Sequence, residues 1–335
     1  MRFVHTLWQT AVLSWARGNA RWRRLRTEMK AMEISQRYYE DYCRPALDSR
    51  FPELSGRLAA GLVGEGSECF GFDDEISQDH DWGAAVCLWL TEEDFTIWGK
   101  ELRTTLDESA REAGRTLPMR KETPMAAGRS GVMDIHGFYY RHTGFPTGPI
   151  TLFDWMRVPD DRLATVTNGA VFSDPLGDFS AVRNTLLAYY PEDVRRKKLA
   201  SRLAMMAQTG QYNLGRCFRR GEKIAAHLSE SQFVSTAMSA VFLLNRRYMP
   251  FYKWSHRAVC RLPLLGAEVG RLLESLVMSE PGEKEDLVEE ICTLVASELR
   301  RQVLSHSDSD FMLEQAFSVQ SSIENETLRG LSVFG

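Results

Sequence analysis

The chain has 335 residues, of which 44% are hydrophobic and 10% aromatic, enough apolar material for a buried core and too much for a disordered protein. Its length exceeds the commonest single-domain size, so we expect two packed domains. Lysine and arginine total 41 against 45 aspartates and glutamates, a net charge of −4. This balance argues against a protein that wraps duplex nucleic acid or coats an anionic membrane.

Residues 1–31 form a basic leader. Glu28 is the first acidic residue, and before it come an apolar stretch at 4–15 and six arginines, Arg2, Arg17, Arg21, Arg23, Arg24 and Arg26. A targeting segment is one interpretation, but no small-residue cleavage site follows a clean apolar core. We favour a disordered leader or a native start at Met29 or Met32.

The six cysteines are scattered and form no C-x-x-C pair; they stand at positions 43, 69, 87, 217, 260 and 292. This pattern predicts reduced core thiols in a cytoplasmic protein and argues against a zinc ribbon or a disulfide framework. Any metal is therefore expected to have oxygen ligands. No apolar run approaches the roughly 18 to 20 residues needed to cross a bilayer, so we expect no membrane partner.

Residues 32–180 are predicted to form an α/β domain. A helix is expected over 32–48, a buried strand over 58–63, a tight turn at 64–67 and a second strand over 79–90. Thr91 and Asp94 have capping-box spacing at the start of a helix with one apolar face, formed by Phe95, Trp98, Leu102, Leu106 and Ala110. A further strand is expected over 132–140, and Asn168-Gly169 is a turn signal.

Residues 181–335 are predicted to be helical throughout. Apolar residues recur three and four apart over 194–208, 212–227, 232–248, 264–278 and 285–304, which is the period of an amphipathic helix. We therefore place the domain boundary near residue 180. The expected fold class is α+β, with a mixed sheet and flanking helices followed by an all-helical C-terminal domain.

Two acidic residues at the start of the second predicted strand are candidate metal ligands. Side chains two apart on a strand point to the same face, so Asp79 and Asp81 would project together and His80 would project away. Two neighbouring carboxylates can hold Mg²⁺ or Mn²⁺, which phosphoryl-type transfer needs. We predict Asp79 and Asp81 as catalytic metal ligands.

The turn before them is a candidate phosphate site. Gly64 and Gly66 have no side chain to keep a ligand from the backbone N–H groups, and Ser67 adds a hydroxyl. A glycine-serine turn by itself is usually only a turn, so the prediction depends on its combination with the two carboxylates, which follow after eleven intervening residues. We predict Gly64, Gly66 and Ser67 as nucleotide-binding residues.

Gly66-Ser67 followed by Asp79-His80-Asp81 resembles the signature of the nucleotidyltransferase superfamily related to DNA polymerase β. More narrowly, the runs at 64–75 and 79–83 look like the bacterial DUF4037 family, a resemblance that extends through Asp154-Trp155 and 169–172 to 252–254. The resemblance implies a nucleotidyltransferase-like sheet followed by helices. It names no substrate.

The superfamily also implies a third carboxylate on a later strand. Asp134, between apolar residues of a predicted strand, is the best-placed candidate, and a solvent-facing strand residue is the alternative. Asp154 is a rival, although its position three after Thr151 suits a helix cap better. The third acid could also be absent.

Other polar residues are weaker candidates. Lys253, in an aromatic-rich segment with Tyr252 and Trp254, could place a cation against nucleotide phosphates, or the segment could be ordinary packing at a helix end. The acidic residues Asp73, Asp74 and Glu75 are expected to be mainly solvated, and His80, His136 and His142 are expected to be structural.

The function expected from these observations is Mg²⁺-dependent transfer of an NMP group from an NTP, with ATP favoured, onto an acceptor that the sequence does not identify. A small molecule, a protein side chain or an RNA end would serve, whereas an extended nucleic-acid track fits the net charge poorly. The alternative is an NTP-binding regulatory protein without turnover. A third hypothesis is an interaction protein that uses the helical part for docking, and the oligomeric state stays open.

Overall fold

The computed structural model describes residues 29–78, 82–121 and 128–335. Their contacts divide them into two compact units, which are discontinuous in sequence. The first unit runs to Gly148 and includes Thr165–Thr185, and the second contains Pro149–Ala164 and Leu186–Gly335. As expected, the fold is a mixed α+β arrangement with a small four-stranded sheet and many helices.

The described part of the first unit begins with a long helical segment, close to the helix expected over 32–48. It consists of α1 (Ala31–Tyr38), a π-helical stretch at Tyr39–Cys43 and α2 (Arg44–Arg50). Pro45 does not break the segment: it lies in the first turn of α2, directly after the π-helical stretch. The apolar positions Ile34 and Tyr38 are buried in the core beside the sheet.

The sheet has the order β3-β2-β1-β4 and is formed by β1 (Ala59–Leu62), β2 (Cys87–Leu90), β3 (Gly131–Asp134) and β4 (Ala170–Ser173). The central strand β1 is antiparallel to both β2 and β4, and β2 is parallel to β3. All residues of β1 and β2 are buried, as expected for strands covered on both faces.

Alternation along β2 divides the core between the two faces of the sheet. Leu88 and Leu90 belong to the cluster that includes α1 and Leu102. Leu102 lies on α3 (Glu92–Ala113), whose N-terminus is capped by Thr91 as predicted. On the other face, the Trp89 ring stacks on Phe179 with 3.9 Å between ring centroids.

Two strand predictions are wrong in extent. Of the strand expected over 79–90, residues 82–86 lie outside β2, and Ala84 among them forms an isolated bridge with Met119. Of the strand expected over 132–140, only the part up to Asp134 forms β3. Helix α4 (Ile135–Thr143) follows at once, since the Asp134 carboxylate accepts a hydrogen bond from the Gly137 N–H and starts the helix.

Three helices lie close to β4 in the sequence: α5 (Leu152–Arg157) and α6 (Asp160–Thr167) precede it, and α7 (Asp178–Leu187) follows it. The second unit then continues with α8 (Glu192–Met206), a π-helical stretch at Ala207–Leu214 and α9 (Gly215–Arg219). Its remaining helices are α10 (Lys223–Leu244), α11 (Tyr252–Val259), α12 (Gly266–Met278), α13 (Lys284–Arg301), α14 (Met312–Ser321) and α15 (Glu326–Arg329).

The helical character expected for this region is present, but one expected helix is wrong. The prediction over 212–227 crosses Gly221, whose φ of +70° ends the helical segment before α10 begins at Lys223. Helices α10 and α14 both pack on α8, whose apolar residues Leu199 and Leu203 are fully buried.

Across the described ranges, no helix combines the length and the apolar character that spanning a membrane requires. All six cysteines are free thiols. Four of them are buried, and Cys217 and Cys260 are partly exposed.

Candidate functional site

The strand register gathers three separate segments of the first unit at one end of the sheet. Gly61 pairs with Cys87, and Cys87 pairs with Gly131. Because β1 runs opposite to β2 and β3, the residues that follow β1 lie at the same sheet end as the residues that precede β2 and β3. The 64–67 turn, the segment before Cys87 and the segment 128–130 therefore converge.

The 64–67 turn is held by the segment between α6 and β4. The Asn168 side-chain oxygen accepts a hydrogen bond from the Gly64 N–H at 3.1 Å, and its amide nitrogen donates to the Gly64 carbonyl at 2.7 Å. Arg183 in turn donates to the Asn168 carbonyl at 2.7 Å, and its burial lowers the pKa of the guanidinium. Gly64 has a φ of +151°, a conformation that favours glycine.

Gly66 is required for a different reason. A Cβ atom at this position would overlap the carboxylate of Glu68, which lies inward and forms an ion pair with Arg120. Both side chains are less than 10% exposed, at 4% and 7%. The turn therefore packs on a buried ion pair. The Ser67 hydroxyl is partly exposed and has no hydrogen-bond partner among the described residues.

A cavity of about 130 Å³ opens beside this turn. It is lined by Gly64 and Glu65 from the turn, by Gly128 and Arg129 from the approach to β3, and by Phe138, Arg141 and His142 from α4. The Arg141 guanidinium donates to the Gly128 carbonyl at 2.7 Å. The Arg129 guanidinium lies 3.3 Å from the Glu65 carboxylate and is one-third exposed.

The cavity is therefore a basic recess. Two guanidinium groups, those of Arg129 and Arg141, face one carboxylate, that of Glu65. Arginine presents several N–H donors in a planar fork that matches phosphate and carboxylate oxygens. A recess of this composition beside a glycine-rich turn is suited to a phosphate group.

The thiol of Cys87 lies beneath this recess and takes no part in its charge. Its sulfur is 3.5 Å from the Arg129 carbonyl and 3.9 Å from the Val63 carbonyl. Burial raises the pKa of Cys87 to about 12. The thiol therefore stays protonated near neutral pH and is not a nucleophile.

The predicted metal ligands Asp79 and Asp81 lie outside the described residues. The described chain resumes at Trp82, whose ring is buried in the core of the first unit. Ala84 then bonds to the strand-like segment after α3, donating to the Pro118 carbonyl at 2.7 Å and accepting from the Arg120 N–H at 3.0 Å.

Asp134, the candidate third carboxylate, is not brought to the 64–67 turn. Asp134 pairs with Leu90, three residues beyond Gly131, whereas Gly64 lies three residues beyond Gly61 in the opposite direction. At about 3.3 Å per residue the two positions are about 20 Å apart along the sheet. The Asp134 carboxylate instead caps α4.

The remaining predicted residues have other positions. Lys253 belongs to the second unit, where its ammonium lies 5.0 Å from the centre of the Trp254 ring. Asp154 forms the capping box with Thr151 that its spacing predicts. The expectation that Asp73 is solvated is wrong, because its carboxylate is buried and accepts a hydrogen bond from the Ala31 N–H at 2.9 Å.

Sequence reasoning missed most of the residues that line the recess. Arg129 and Arg141 carry no motif, and they meet only because β3 and α4 fold back on the 64–67 turn. Asn168 was visible as a turn residue, but its partner Gly64 is 104 positions away. Within ranges 29–78, 82–121 and 128–335, no group of three or more His, Cys, Asp or Glu side chains is placed to hold a metal ion.

Comparison with known families supports part of the resemblance. The family model DUF4037, described as a domain of unknown function, matches residues 155–255. This match supports the DUF4037 resemblance and does not extend to the 64–67 turn. No curated protein and no solved structure compared with the chain gives a significant match.

Proposed function

We propose that the first unit binds the phosphates of a nucleoside triphosphate and that the protein is a Mg²⁺-dependent nucleotidyltransferase. The observation that carries the proposal is the convergence, at one sheet end, of the 64–67 turn with the basic recess of Arg129 and Arg141. Asp79 and Asp81 directly precede Trp82 in the sequence, and Trp82 belongs to the first unit.

Each residue then has a chemical role. Arg129 and Arg141 would neutralise phosphate oxygens, and the partly exposed Ser67 hydroxyl would donate to another. Asp79 and Asp81 would hold Mg²⁺, and the bound ion would offset the negative charge on the phosphates during transfer of the nucleotidyl group. An acceptor oxygen or nitrogen would attack the α-phosphorus and lose its proton to solvent, the bond from the α-phosphorus to the bridging oxygen would break, and pyrophosphate would leave.

A second candidate function is NTP binding without transfer. The distance of Asp134 from the recess favours it, because the third carboxylate implied by the nucleotidyltransferase resemblance is not supplied by this residue. Such a protein would bind an NTP through the same recess and release no pyrophosphate. Binding and turnover must therefore be measured separately.

The experiment incubates the full chain with Mg²⁺ and each α-³²P-labelled NTP, with and without a cell extract, and follows labelled products and pyrophosphate. ATP affinity is measured in parallel by titration calorimetry. The variants are Asp79→Asn, Asp81→Asn and Arg129→Gln. Arg111→Gln, which removes an exposed arginine of α3, is the charge-matched control.

We expect Arg129→Gln to weaken ATP binding about tenfold or more, as the loss of a charge-assisted hydrogen bond implies. The two aspartate variants should abolish pyrophosphate release, and Arg111→Gln should leave both readouts unchanged. ATP binding with no pyrophosphate release under any condition would favour the second function. Absence of ATP binding in the native protein would overturn both.

A further inference from the structure

The second unit contains a larger cleft that the proposed function does not use. Its volume is about 650 Å³, within the range of about 300 to 1,000 Å³ typical of small-molecule sites. One wall is apolar and includes Val234 and Met238 of α10 with Met249 and Pro250 before α11. All its lining residues lie between 156 and 255, inside the part of the chain that matches the DUF4037 model.

A buried polar network forms the opposite side. The Lys198 ammonium donates to the Asp160 carboxylate at 3.1 Å, and the Tyr190 hydroxyl donates to the same oxygen at 2.6 Å. Lys198 also lies 5.0 Å from the centre of the Tyr190 ring. The side chains of Lys198 and Asp160 are only 8% and 12% exposed. This network holds the Lys198 ammonium in place among the residues that line the cleft.

Arg202 is the second cation of this side, and its guanidinium is incompletely paired. Its Nε donates to the Ser239 hydroxyl at 2.9 Å. The closest carboxylate oxygen, from Asp160, is 3.9 Å from Nη2, too far for a hydrogen bond. Among the described residues neither terminal nitrogen of Arg202 has a hydrogen-bond partner, although the side chain is only 30% exposed.

The charges around the cleft favour an anionic ligand. Three cationic side chains, Arg157, Lys198 and Arg202, line it together with two acidic ones, Asp160 and Asp161. Asp160 is engaged by Lys198, so the fork of Arg202 is left to face the cleft. A partly desolvated guanidinium beside an apolar wall binds a carboxylate or a phosphate far better than it binds a neutral group.

We propose that this cleft binds a small organic anion, in which a carboxylate or phosphate pairs with Arg202 and an apolar or aromatic body packs on Met238 and Met249. This site is separate from the recess of Arg129 and Arg141 and does not depend on nucleotidyl transfer. Arg202 supplies the charge, and the α10 wall supplies the apolar contact.

The test is titration calorimetry of the full chain with three probes of similar size: phenyl phosphate, phenylacetate and benzyl alcohol. The first two carry the two anionic groups, and the third is neutral. The variants are Arg202→Gln and Ser235→Trp, the latter placing a bulky ring in the cleft from an exposed position of α10 without touching the polar network. The control Arg271→Gln removes an exposed arginine of the second unit that does not line the cleft.

We expect at least one anionic probe to bind and benzyl alcohol to bind at least about tenfold more weakly. Arg202→Gln and Ser235→Trp should each weaken the anionic probe about tenfold or more, and Arg271→Gln should not. The preferred probe identifies the anion as a phosphate or a carboxylate. Circular dichroism verifies that each variant is folded.

Three results would overturn the proposal: no anionic probe binds the native protein at millimolar concentration, the neutral probe binds equally well, or both folded cleft variants bind as the native protein does. Arg129→Gln separates this outcome from the nucleotide proposal. If that variant loses phenyl phosphate and Arg202→Gln keeps it, the probe has bound the recess of the first unit and the cleft assignment fails.

Discussion

The side chain of Asn168 satisfies both backbone hydrogen-bonding groups of Gly64, accepting from its N–H at 3.1 Å and donating to its carbonyl at 2.7 Å. The Asn168 amide therefore takes the place of the backbone of a neighbouring strand, at a position beyond Leu62, where β1 has already ended. Gly169, the next residue, has a φ of +62°, and a Cβ there would overlap the Leu62 carbonyl. The position of the 64–67 turn thus depends on a segment about a hundred residues later.

Replacement of Asn168 should release this turn. Asn168→Ala removes both hydrogen bonds and leaves two backbone groups of Gly64 to be satisfied by water, so we expect a loss of about 1 to 3 kcal/mol in the free energy of unfolding. Asn168→Asp retains the acceptor but turns a carboxylate oxygen toward the Gly64 carbonyl, so near neutral pH it should destabilise the fold at least as much as Asn168→Ala. Urea denaturation measures both, and equal stability of Asn168→Ala and the native protein would show that the amide contacts carry no weight.

The buried ion pair beneath Gly66 should be costly to break from one side. Glu68→Ala leaves the Arg120 guanidinium buried and uncompensated, because its side chain is only 7% exposed. We expect a destabilisation of about 3 to 5 kcal/mol. The exposed pair of Arg50 and Glu108 in the same unit is the control, and Glu108→Ala should cost less than about 1 kcal/mol. A double variant of Glu68 and Arg120 that is no more stable than Glu68→Ala would contradict this explanation.

The stability of the second unit should depend on the ionisation of Asp160. Burial by itself would raise the pKa of this carboxyl, but the ammonium of Lys198 and the guanidinium of Arg202 outweigh it and hold the pKa below its ordinary value of 3.8. A carboxylate with a lowered pKa in the folded state stabilises the fold above its unfolded pKa, and the contribution is lost as the pH falls through the folded value.

The stability difference between the native protein and Asp160→Asn should therefore be constant above about pH 5 and shrink below about pH 4. Chemical denaturation from pH 3 to 7 measures it. Glu290→Gln removes an exposed carboxylate that has no ion pair among the described residues, and its difference from the native protein should stay small throughout. A stability difference for Asp160→Asn that grows as the pH falls would contradict a lowered pKa of Asp160 in the folded state.

The cysteines should divide into two classes of reactivity. Burial raises the pKa of Cys43 and of Cys87 to about 12, and Cys69 and Cys292 are also buried. Only Cys217 and Cys260 are partly exposed. In a reaction with an aromatic disulfide reagent at pH 8 we expect at most two thiols to react rapidly in the native protein and all six to react after denaturation. Rapid reaction of four or more native thiols would contradict the burial of this set.

Much of the local structure was predictable from short stretches of sequence. The first predicted strand, the cap of α3 by Thr91 and the capping box of Thr151 and Asp154 are all confirmed. These features depend on residues within four positions of each other, so their signals survive without tertiary information. The strand expected over 132–140 was too long, because the Asp134 carboxylate caps a helix and ends the strand despite the apolar residues around it.

The sequence by itself determined the glycine-rich turn, the first buried strand and the helical period of the later residues. Each of these features follows from side chains that are neighbours along the chain. Only the tertiary structure decided which sheet end each polar residue occupies. Strand direction and register separate Asp134 from Gly64 and bring Arg129 and Arg141 to the turn. The physical reason is that pairing between distant strands is set by the burial of whole faces, which no local pattern specifies.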